Sequence, residues 1–369
     1  MLQPDDSAAP LAWILTGNKG GDNAQMRVLA AAAGLRTREI PLQFNELRQQ
    51  SNLRLGATLR SLTEEARRRL QPPWPDVVLS SGGRSVPIAR WIGRPGKGAI
   101  KLVHIGRPWG RLSWFDLVLA MPQYGLPERR NVFQARMPFN AASAAALAQA
   151  ADIWRPSFEA YPRPWIALIV GGRSSPMVFD AQAARELGAK VSRYVRAQGG
   201  SVLTVTSRRT GAEAGQALFA ALDVPGLRWD AQRDGGDNPY LGVLALADEF
   251  IVTGDSASML AEAVRMRRPV AIADLPRRPK RRRRRAALLR RLLPRSVFHL
   301  LLDFSLLTAT RDLRWLHARL IQDGLATMLN GPPKPPQPLQ DDLEEAALRV
   351  RQLLRPAASG ALVLAGGLR

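Results

Sequence analysis

The residues best suited to chemistry lie in one stretch, Val252-Thr253-Gly254-Asp255-Ser256-Ala257-Ser258-Met259-Leu260-Ala261-Glu262-Ala263. A strand pattern ends at Thr253, a polar turn follows, and a helix pattern starts with Asp255 or Ser256 as its cap. The first N–H groups of a helix have no acceptor within it. Together with the hydroxyls of Ser256 and Ser258 they form a cradle for a diphosphate, with Met259 in the same turn. Glu262 stands four residues after Ser258, on the same helical face one turn deeper. A carboxylate there accepts both hydroxyls of a ribose. The bland alternative is an ordinary capped helix with Glu262 on its surface.

Glycine-rich turns supply the other candidates. Gly17-Asn18-Lys19-Gly20-Gly21-Asp22 follows the first apolar run, where glycines let the backbone approach a ligand closely. Lys19 either neutralises a phosphate or points into water. Asp22 either faces the cleft or caps a helix over Asn23 to Ala33. No Gly-Lys-Ser/Thr follows, so this is not a Walker loop. Ser81-Gly82-Gly83-Arg84-Ser85 and Gly171-Gly172-Arg173-Ser174-Ser175 share one form: strand, two glycines, arginine, hydroxyl. Both suit an anion or sugar contact, and a plain tight turn is an equal reading of the first. Ser207-Arg208-Arg209-Thr210 ends another strand, and one of its arginines can meet a diphosphate as a planar fork. His104, His299 and His317 are scattered without partners at ligand spacing, so no metal site is expected.

The elements that must position these turns alternate. Strand patterns at Leu11 to Thr16, Arg36 to Leu42, Asp76 to Ser81, Ile100 to Ile105, Phe115 to Met121 and Asn131 to Arg136 enclose helix patterns, one of them over Phe44 to Leu70. A second series holds strands at Trp165 to Val170, Ser201 to Ser207, Asp248 to Thr253 and Pro269 to Ala273, with helices over Ala181 to Gln198 and Ser256 to Met266. The expected fold is α/β, two Rossmann-like domains facing each other across a cleft. Residues 1–156 form the N-terminal, acceptor-side domain. Trp154 to Pro164, with three prolines, reads as the linker. Residues 164–330 are expected to form the second domain, the one that would bind a nucleotide-sugar, with a basic insertion at 277–295. Residues 331–369 hold a proline-rich connector, an amphipathic helix over Asp341 to Leu354 and a disordered tail.

At 369 residues and 46% apolar content, two cores are within reach. The absence of cysteine excludes disulfides, thiolate metal sites and cysteine nucleophiles. Met1 to Ala9 lacks the form of a secretory signal. The longest apolar stretch, near Val297 to Leu307, is interrupted by His299 and Asp303. The expectation is a cytoplasmic protein, at most peripheral on the membrane face. Basic residues outnumber acids 53 to 31, a net +22, and eleven of them lie between Arg277 and Arg295 with no acid among them. Arg281, Arg282, Arg283, Arg284 and Arg285 beside Leu288, Leu289, Leu292 and Leu293 suit an anionic membrane surface. No aromatic residues are interleaved for stacking, so no specific nucleic acid is expected. A solvated arginine-rich insertion is the plain alternative.

Trp13 with Gly17 to Gln25, Thr206-Ser207-Arg208-Arg209-Thr210, Asn238-Pro239-Tyr240 and Asp248 through Ala263 together resemble a known family. The last stretch looks like the donor-nucleotide site of glycosyltransferase-B enzymes. More closely, the chain resembles the Elm family, named for elongated mitochondria in plants. The resemblance implies a glycosyltransferase-B-like fold and, in plants, recruitment of the mitochondrial fission machinery, without implying catalysis. Where the family tends to show Pro-Glu-His-Asp, this chain has Pro122-Gln123-Tyr124-Gly125. Gly21-Asp22 is similar to the Gly-Asp that supplies the general base in heptosyltransferase-like enzymes. The expected function is metal-independent transfer of a sugar from a nucleotide-sugar substrate, without a cofactor. The alternative is a non-catalytic recruitment scaffold on the same fold. An epimerase would need paired acids, for which Asp22 and Asp255 are weak candidates.

Overall fold

The computed structural model describes residues 9–94, 99–278, 288, 292–303, 311–330 and 334–355. The expected membrane patch, Arg281 to Arg285, and the expected disordered tail lie outside these residues, as does the side chain of His299. The first series of strands is β1 (Leu11–Thr16), β2 (Arg36–Pro41), β3 (Val77–Ser81), β4 (Lys101–Ile105), β5 (Leu117–Ala120) and β6 (Val132–Gln134). Helices α1 (Gly20–Ala32), α2 (Asn52–Leu55), α3 (Glu64–Arg68) and α4 (Val86–Ile92) connect them. After α5 (Ala144–Phe158), the second series is β7 (Trp165–Val170), β8 (Ser201–Thr206), β9 (Gly226–Trp229), β10 (Glu249–Thr253), β11 (Val270–Ala273) and β12 (Thr327–Met328). Its helices are α6 (Ala181–Ala197), α7 (Ala212–Ala221), α8 (Tyr240–Leu246), α9 (Ala257–Arg265), α10 (Arg295–Asp303) and α11 (Leu313–Gln322); α12 (Leu343–Leu354) closes the described chain.

Each series forms a parallel six-stranded sheet, so the chain has two Rossmann-like domains, as the alternating pattern predicts. Both faces of the first sheet are covered, and the period of two along a strand sorts its side chains. Ala12 and Ile14 pack with Met26 and Leu29 of α1, whereas Trp13 and Leu15 pack with Ile88 and Ile92 of α4. The strand orders are β2-β1-β3-β4-β5-β6 and β12-β11-β10-β7-β8-β9. Each order reverses once, at β1/β3 and at β7/β10. The crevice outside the carboxyl ends of strands at such a switch point is where ligands bind in open parallel sheets.

Two expected elements differ. Phe44 to Leu70 is not one helix: Ser51 and Thr63 accept from the N–H groups of Arg54 and Ala66, and Gly56 adopts φ +66°, so α2 and α3 start and stop separately. Nor is Trp154 to Pro164 all linker, because α5 continues through Pro156 to Phe158. Apolar burial explains its persistence: Phe158 is fully buried in the second core, and the Trp154 ring lies where a Cβ on Gly242 of α8 would be 2.6 Å away. Crossing the other way, α12 adds Ala346, Ala347 and Val350 to the first core. Arg351 of α12 donates to Ala32 O at 2.7 Å.

Arg265, at the last turn of α9, ties these crossings together. Its side chain is 7% exposed, pairs bidentately with Asp341 at 3.1 and 3.0 Å, and donates to Pro138 O and Asn140 O, both at 2.8 Å. Replacing it with alanine strands two carbonyls and a carboxylate. Arg265→Ala is expected to lower the unfolding free energy in urea by about 3 kcal/mol, and Arg265→Lys to restore only part of it, because a lysine lacks the planar fork.

Candidate functional site

The two switch points face each other. At the first, α1 starts at Gly20, three residues earlier than expected, with Lys19 rather than Asp22 in the capping position. Asp22 is therefore a first-turn residue, and its role as a side-chain cap is excluded. The Asn23 amide clasps both backbone groups of Gly17, accepting from its N–H at 3.0 Å and donating to its carbonyl at 2.7 Å. That clasp sets the turn. Lys19 is exposed and stands 3.7 Å from Asp22. Asp22 also lies close enough to Tyr124 to raise the phenol's pKa, after burial, the larger cause. Gly82 has φ +75°, Gly83 lies under the Trp109 indole, and Arg84 is exposed.

At the second switch point a buried carboxylate organises the turns. Asp255 is 0% exposed: it points beneath the turn and does not cap α9. Its Oδ1 accepts from Thr253 Oγ1 at 2.7 Å, and its Oδ2 lies 3.4 Å from Arg209. Thr253 Oγ1 accepts in turn from the Gly171 N–H at 2.8 Å. The Ser207 hydroxyl donates to the Gly171 carbonyl, and Arg173 N–H donates to Arg209 O at 3.1 Å. A Cβ on Gly171 would come within 2.5 Å of Asp255, and Gly172, at φ +103°, abuts the Arg209–Thr210 backbone. Only glycine fits either position. His317, from α11, supports the same structure from below: its Nε2 meets Gly254 O at 2.8 Å.

Over this base lies a cleft of about 330 Å³, lined from the first domain by Gly20, Gly21, Ala24 and Asn140. The second domain contributes Ser207 and Arg208, the Trp229 and Tyr240 rings, Asn238, and Ser258, Met259 and Glu262 of α9. A Cβ on Gly21 would lie 3.4 Å from Ser258 Oγ, and Asn140 donates to Gly21 O at 3.0 Å. Ser256 is nearly buried, 3.4 Å from the Ser258 hydroxyl. Helix geometry leaves the N–H groups of Ala257, Ser258 and Met259 without intrahelical acceptors. Glu262 accepts from the Tyr240 hydroxyl. Burial raises the Glu262 pKa, while Tyr240 and then Arg265 oppose the rise.

The cleft thus brings together Gly20, Gly21, Ser207, Arg208, Ser258, Met259 and Glu262. Gly171, Gly172, Asp255 and Ser256 act beneath it as scaffold, and Gly17, Lys19, Asp22, Gly82 to Arg84, Arg173 and Arg209 do not line it. Trp229 and Asn140 carried no sequence signal as site residues, because neither sits in a glycine-rich turn. His104 is a core residue: fully buried, it meets Ser80 Oγ at 2.9 Å, and burial lowers its pKa to about 3. Among the described residues no group of three or more His, Asp or Glu is placed to hold a metal ion.

Residues 20–354 match the family model described as mitochondrial fission ELM1. The mitochondrial fission protein ELM1 of Arabidopsis thaliana is 27% identical over 242 residues, which cover 59% of this chain and 56% of that protein. The chain therefore spans little more than half the length of that relative. Among solved structures, the UDP-GlcNAc 2-epimerase of Methanocaldococcus jannaschii aligns over 93% of this chain and 99% of its own, at 14% identity and a TM-score of 0.47. A glycosyltransferase of Rickettsia africae aligns over 95% and 100%, at 11% identity and a TM-score of 0.42.

Asp255 makes stability depend on pH. Burial, the largest influence, raises its pKa from 3.8 to about 6, although Thr253, Arg209 and nearby backbone N–H groups oppose the rise. The folded state therefore holds this proton more tightly than the unfolded chain. The resulting stability is present at low pH and is lost as pH rises from about 4 through about 6. Asp255→Asn is expected to remove that dependence and to gain up to about 3 kcal/mol over the native chain at pH 8. Denaturant titrations at pH 5 and pH 8 measure the difference.

Proposed function

We propose that this chain, which belongs to the mitochondrial fission ELM1 family, binds a nucleotide-sugar in the interdomain cleft and transfers the sugar to an acceptor hydroxyl. The observation that carries this reading is the convergence at the β7/β10 switch point. The free N–H groups of α9, the Ser258 hydroxyl, Arg208 and Glu262 meet there in one cleft, beside the Trp229 ring. The diphosphate rests on the helix start, where backbone N–H groups and the helix dipole favour anions. Arg208 meets it from the β8 turn, the base lies against Trp229, and the ribose hydroxyls donate to Glu262.

Asp22 accepts the acceptor's hydroxyl proton. The freed oxygen bonds to the sugar's anomeric carbon as that carbon's bond to the diphosphate oxygen breaks. The nucleoside diphosphate leaves with the electron pair, its added charge spread over Arg208 and the helix N–H groups. No metal or cofactor enters this scheme. In this reading the acceptor approaches from the first domain, past the Gly17–Asp22 and Gly82–Arg84 turns that flank the cleft lining.

A second reading has its own observation. The segment where the family tends to carry Glu-His-Asp here makes an interdomain contact: Gln123 O accepts from Asp312 N–H at 2.8 Å, and Gly125 lies under the Trp315 ring. A protein that keeps the nucleotide site but recruits partners instead of transferring sugar is consistent with that use.

The proposal extends to an anionic membrane at the cytoplasmic face. Charge supports it, with eleven basic residues between Arg277 and Arg295, and so do Leu288, Leu292, Val297 and Leu300, all exposed. Among the described residues no helix is long and apolar enough to cross a membrane.

Thermal-shift titration with UDP, GDP, ADP and their common sugar conjugates tests the donor site. One nucleotide is expected to raise Tm in native protein and to lose that effect in Glu262→Ala. Unchanged affinity in the variant refutes the ribose assignment. With the responding donor, Asp22→Asn is expected to slow transfer by about a hundredfold or more while leaving the thermal shift intact. A native protein that binds the nucleotide but never turns over favours the recruitment reading. Removing Arg277 to Arg285 is expected to abolish cosedimentation with phosphatidylserine vesicles at low salt, and persistent binding counts against the membrane contact.

A further inference from the structure

We infer that Tyr240 is a positioning residue that sets the cleft's preference for a ribonucleoside diphosphate over its 2′-deoxy counterpart, by fixing the Glu262 carboxylate as the acceptor of the ribose hydroxyls. The inference rests on the nucleotide reading above and assigns a part to Asn238-Pro239-Tyr240 within it. Tyr240 opens α8. Its N–H donates to Asn238 Oδ1 at 3.0 Å, while Pro239 occupies the capping position and accepts from Val243 N–H at 2.8 Å. Two residues on, Gly242 admits the Trp154 ring so closely that a Cβ there would be 2.6 Å from it, wedging α8 against α5. The phenol is thus held by its own helix and by the helix packed behind it.

From that fixed position the hydroxyl donates to Glu262 Oε2. A phenol has one proton to give, and a carboxylate has about four acceptor sites. Once Oε2 is engaged by Tyr240, Oε1 and the second lone pair of Oε2 remain for two neighbouring hydroxyls. Arg265 lies three residues beyond Glu262 on the same helix, but its hydrogen bonds go to Asp341, Pro138 and Asn140. Tyr240 is therefore the hydrogen-bond donor that Glu262 has among the described residues. A side chain with three rotatable bonds, half-buried beside a ligand, is directed by that one contact.

Selectivity follows from satisfaction. A 2′-hydroxyl donates to a partly desolvated carboxylate oxygen, whereas a 2′-deoxy ligand leaves that oxygen facing the ligand without a partner. A site built to accept a hydroxyl rejects the analogue lacking it more strongly than an apolar site rejects an extra group. The charged or titratable groups facing Glu262 are Tyr240 from α8, Arg265 on its own helix and Arg208 across the cleft. The facing part of α1, Gly20, Gly21 and Ala24, carries no charge. Tyr240 is thus the neighbour whose hydrogen bond most opposes the upward push of burial on the Glu262 pKa. Losing that bond moves protonation of Glu262 to higher pH.

Calorimetric titration of the full chain with UDP and 2′-deoxy-UDP, and in parallel with the GDP and ADP pairs, tests the inference across pH 5 to 8. Native protein is expected to favour the ribo form by about tenfold or more. Tyr240→Phe is expected to narrow the ratio to about threefold or less and to raise the pH at which affinity falls on acidification. Glu262→Gln provides a second, isosteric variant: it should lose the preference with Tyr240 intact, and adding Tyr240→Phe to it should cost nothing further. Native binding without ribose preference, or Tyr240→Phe with the native ratio and the native pH midpoint, overturns the inference and leaves the nucleotide site standing. No binding of any nucleoside diphosphate overturns both.

Discussion

The cleft depends on the guanidinium of Arg265. Its donors reach the two carbonyls of the segment leaving the first domain, Pro138 and Asn140, and the carboxylate of Asp341, just before α12 returns to that domain. It is one turn from Glu262 and two turns from Ser258 on the same nine-residue helix. The element whose free N–H groups open onto the cleft at its start therefore joins the two domains at its end. A helix is stiff over this length, so the distance between the domains and the position of the cradle are set together.

The cradle is firm for a different reason. The turn after β10 is short and polar, a kind of segment that usually moves, yet it lies on a buried hydrogen-bonded core. Thr253 accepts from the Gly171 N–H and donates to Asp255, while Ser207 donates to the Gly171 carbonyl and His317 fills the space beneath Gly254. Turns after β7, β8 and β10 are thus fixed to one another through side chains rather than sheet ladders. The arrangement burdens the protein with a carboxylate in a dry site. A buried charge is tolerated where it is paired and hydrogen-bonded, and Asp255 has both Thr253 and Arg209. Preorganised donors above such a base need little rearrangement when an anion arrives.

What was legible in the sequence is what depends on local pattern. Both sheets announce themselves as apolar runs because their central strands are buried on both faces, as in Trp165–Val170. The strand-turn-helix at Thr253 to Glu262 shows itself through hydroxyls and a carboxylate at helical spacing. Edge strand β9 is only partly buried and has no such run, so Trp229 could not be placed at the site. The extent of α5 was hidden by Pro156, since the packing that sustains it is on another helix. The inward turn of Asp255 was invisible as well: an acid at a helix start reads as a cap unless the glycine 84 positions earlier is known to make room for it. Arg265 and Tyr240 act on partners from other parts of the chain, and spacing says nothing of such contacts.

The groups around the cleft divide unevenly between the domains. The charge-bearing and aromatic groups lining the cleft come from the second domain, whereas Asp22 belongs to the first. The two domains meet where Gly21 faces Ser258, a Cβ on the glycine lying in ordinary contact at 3.4 Å from the Ser258 hydroxyl. Loss of a first-domain group such as the Asp22 carboxylate would leave the second domain's hydrogen-bonded network unaltered. The first domain adds small and neutral groups to the cleft, Gly20, Gly21, Ala24 and Asn140, so its contribution is shape rather than charge. That asymmetry lets the first domain's groups change without disturbing the hydrogen bonds that fix the second domain's turns.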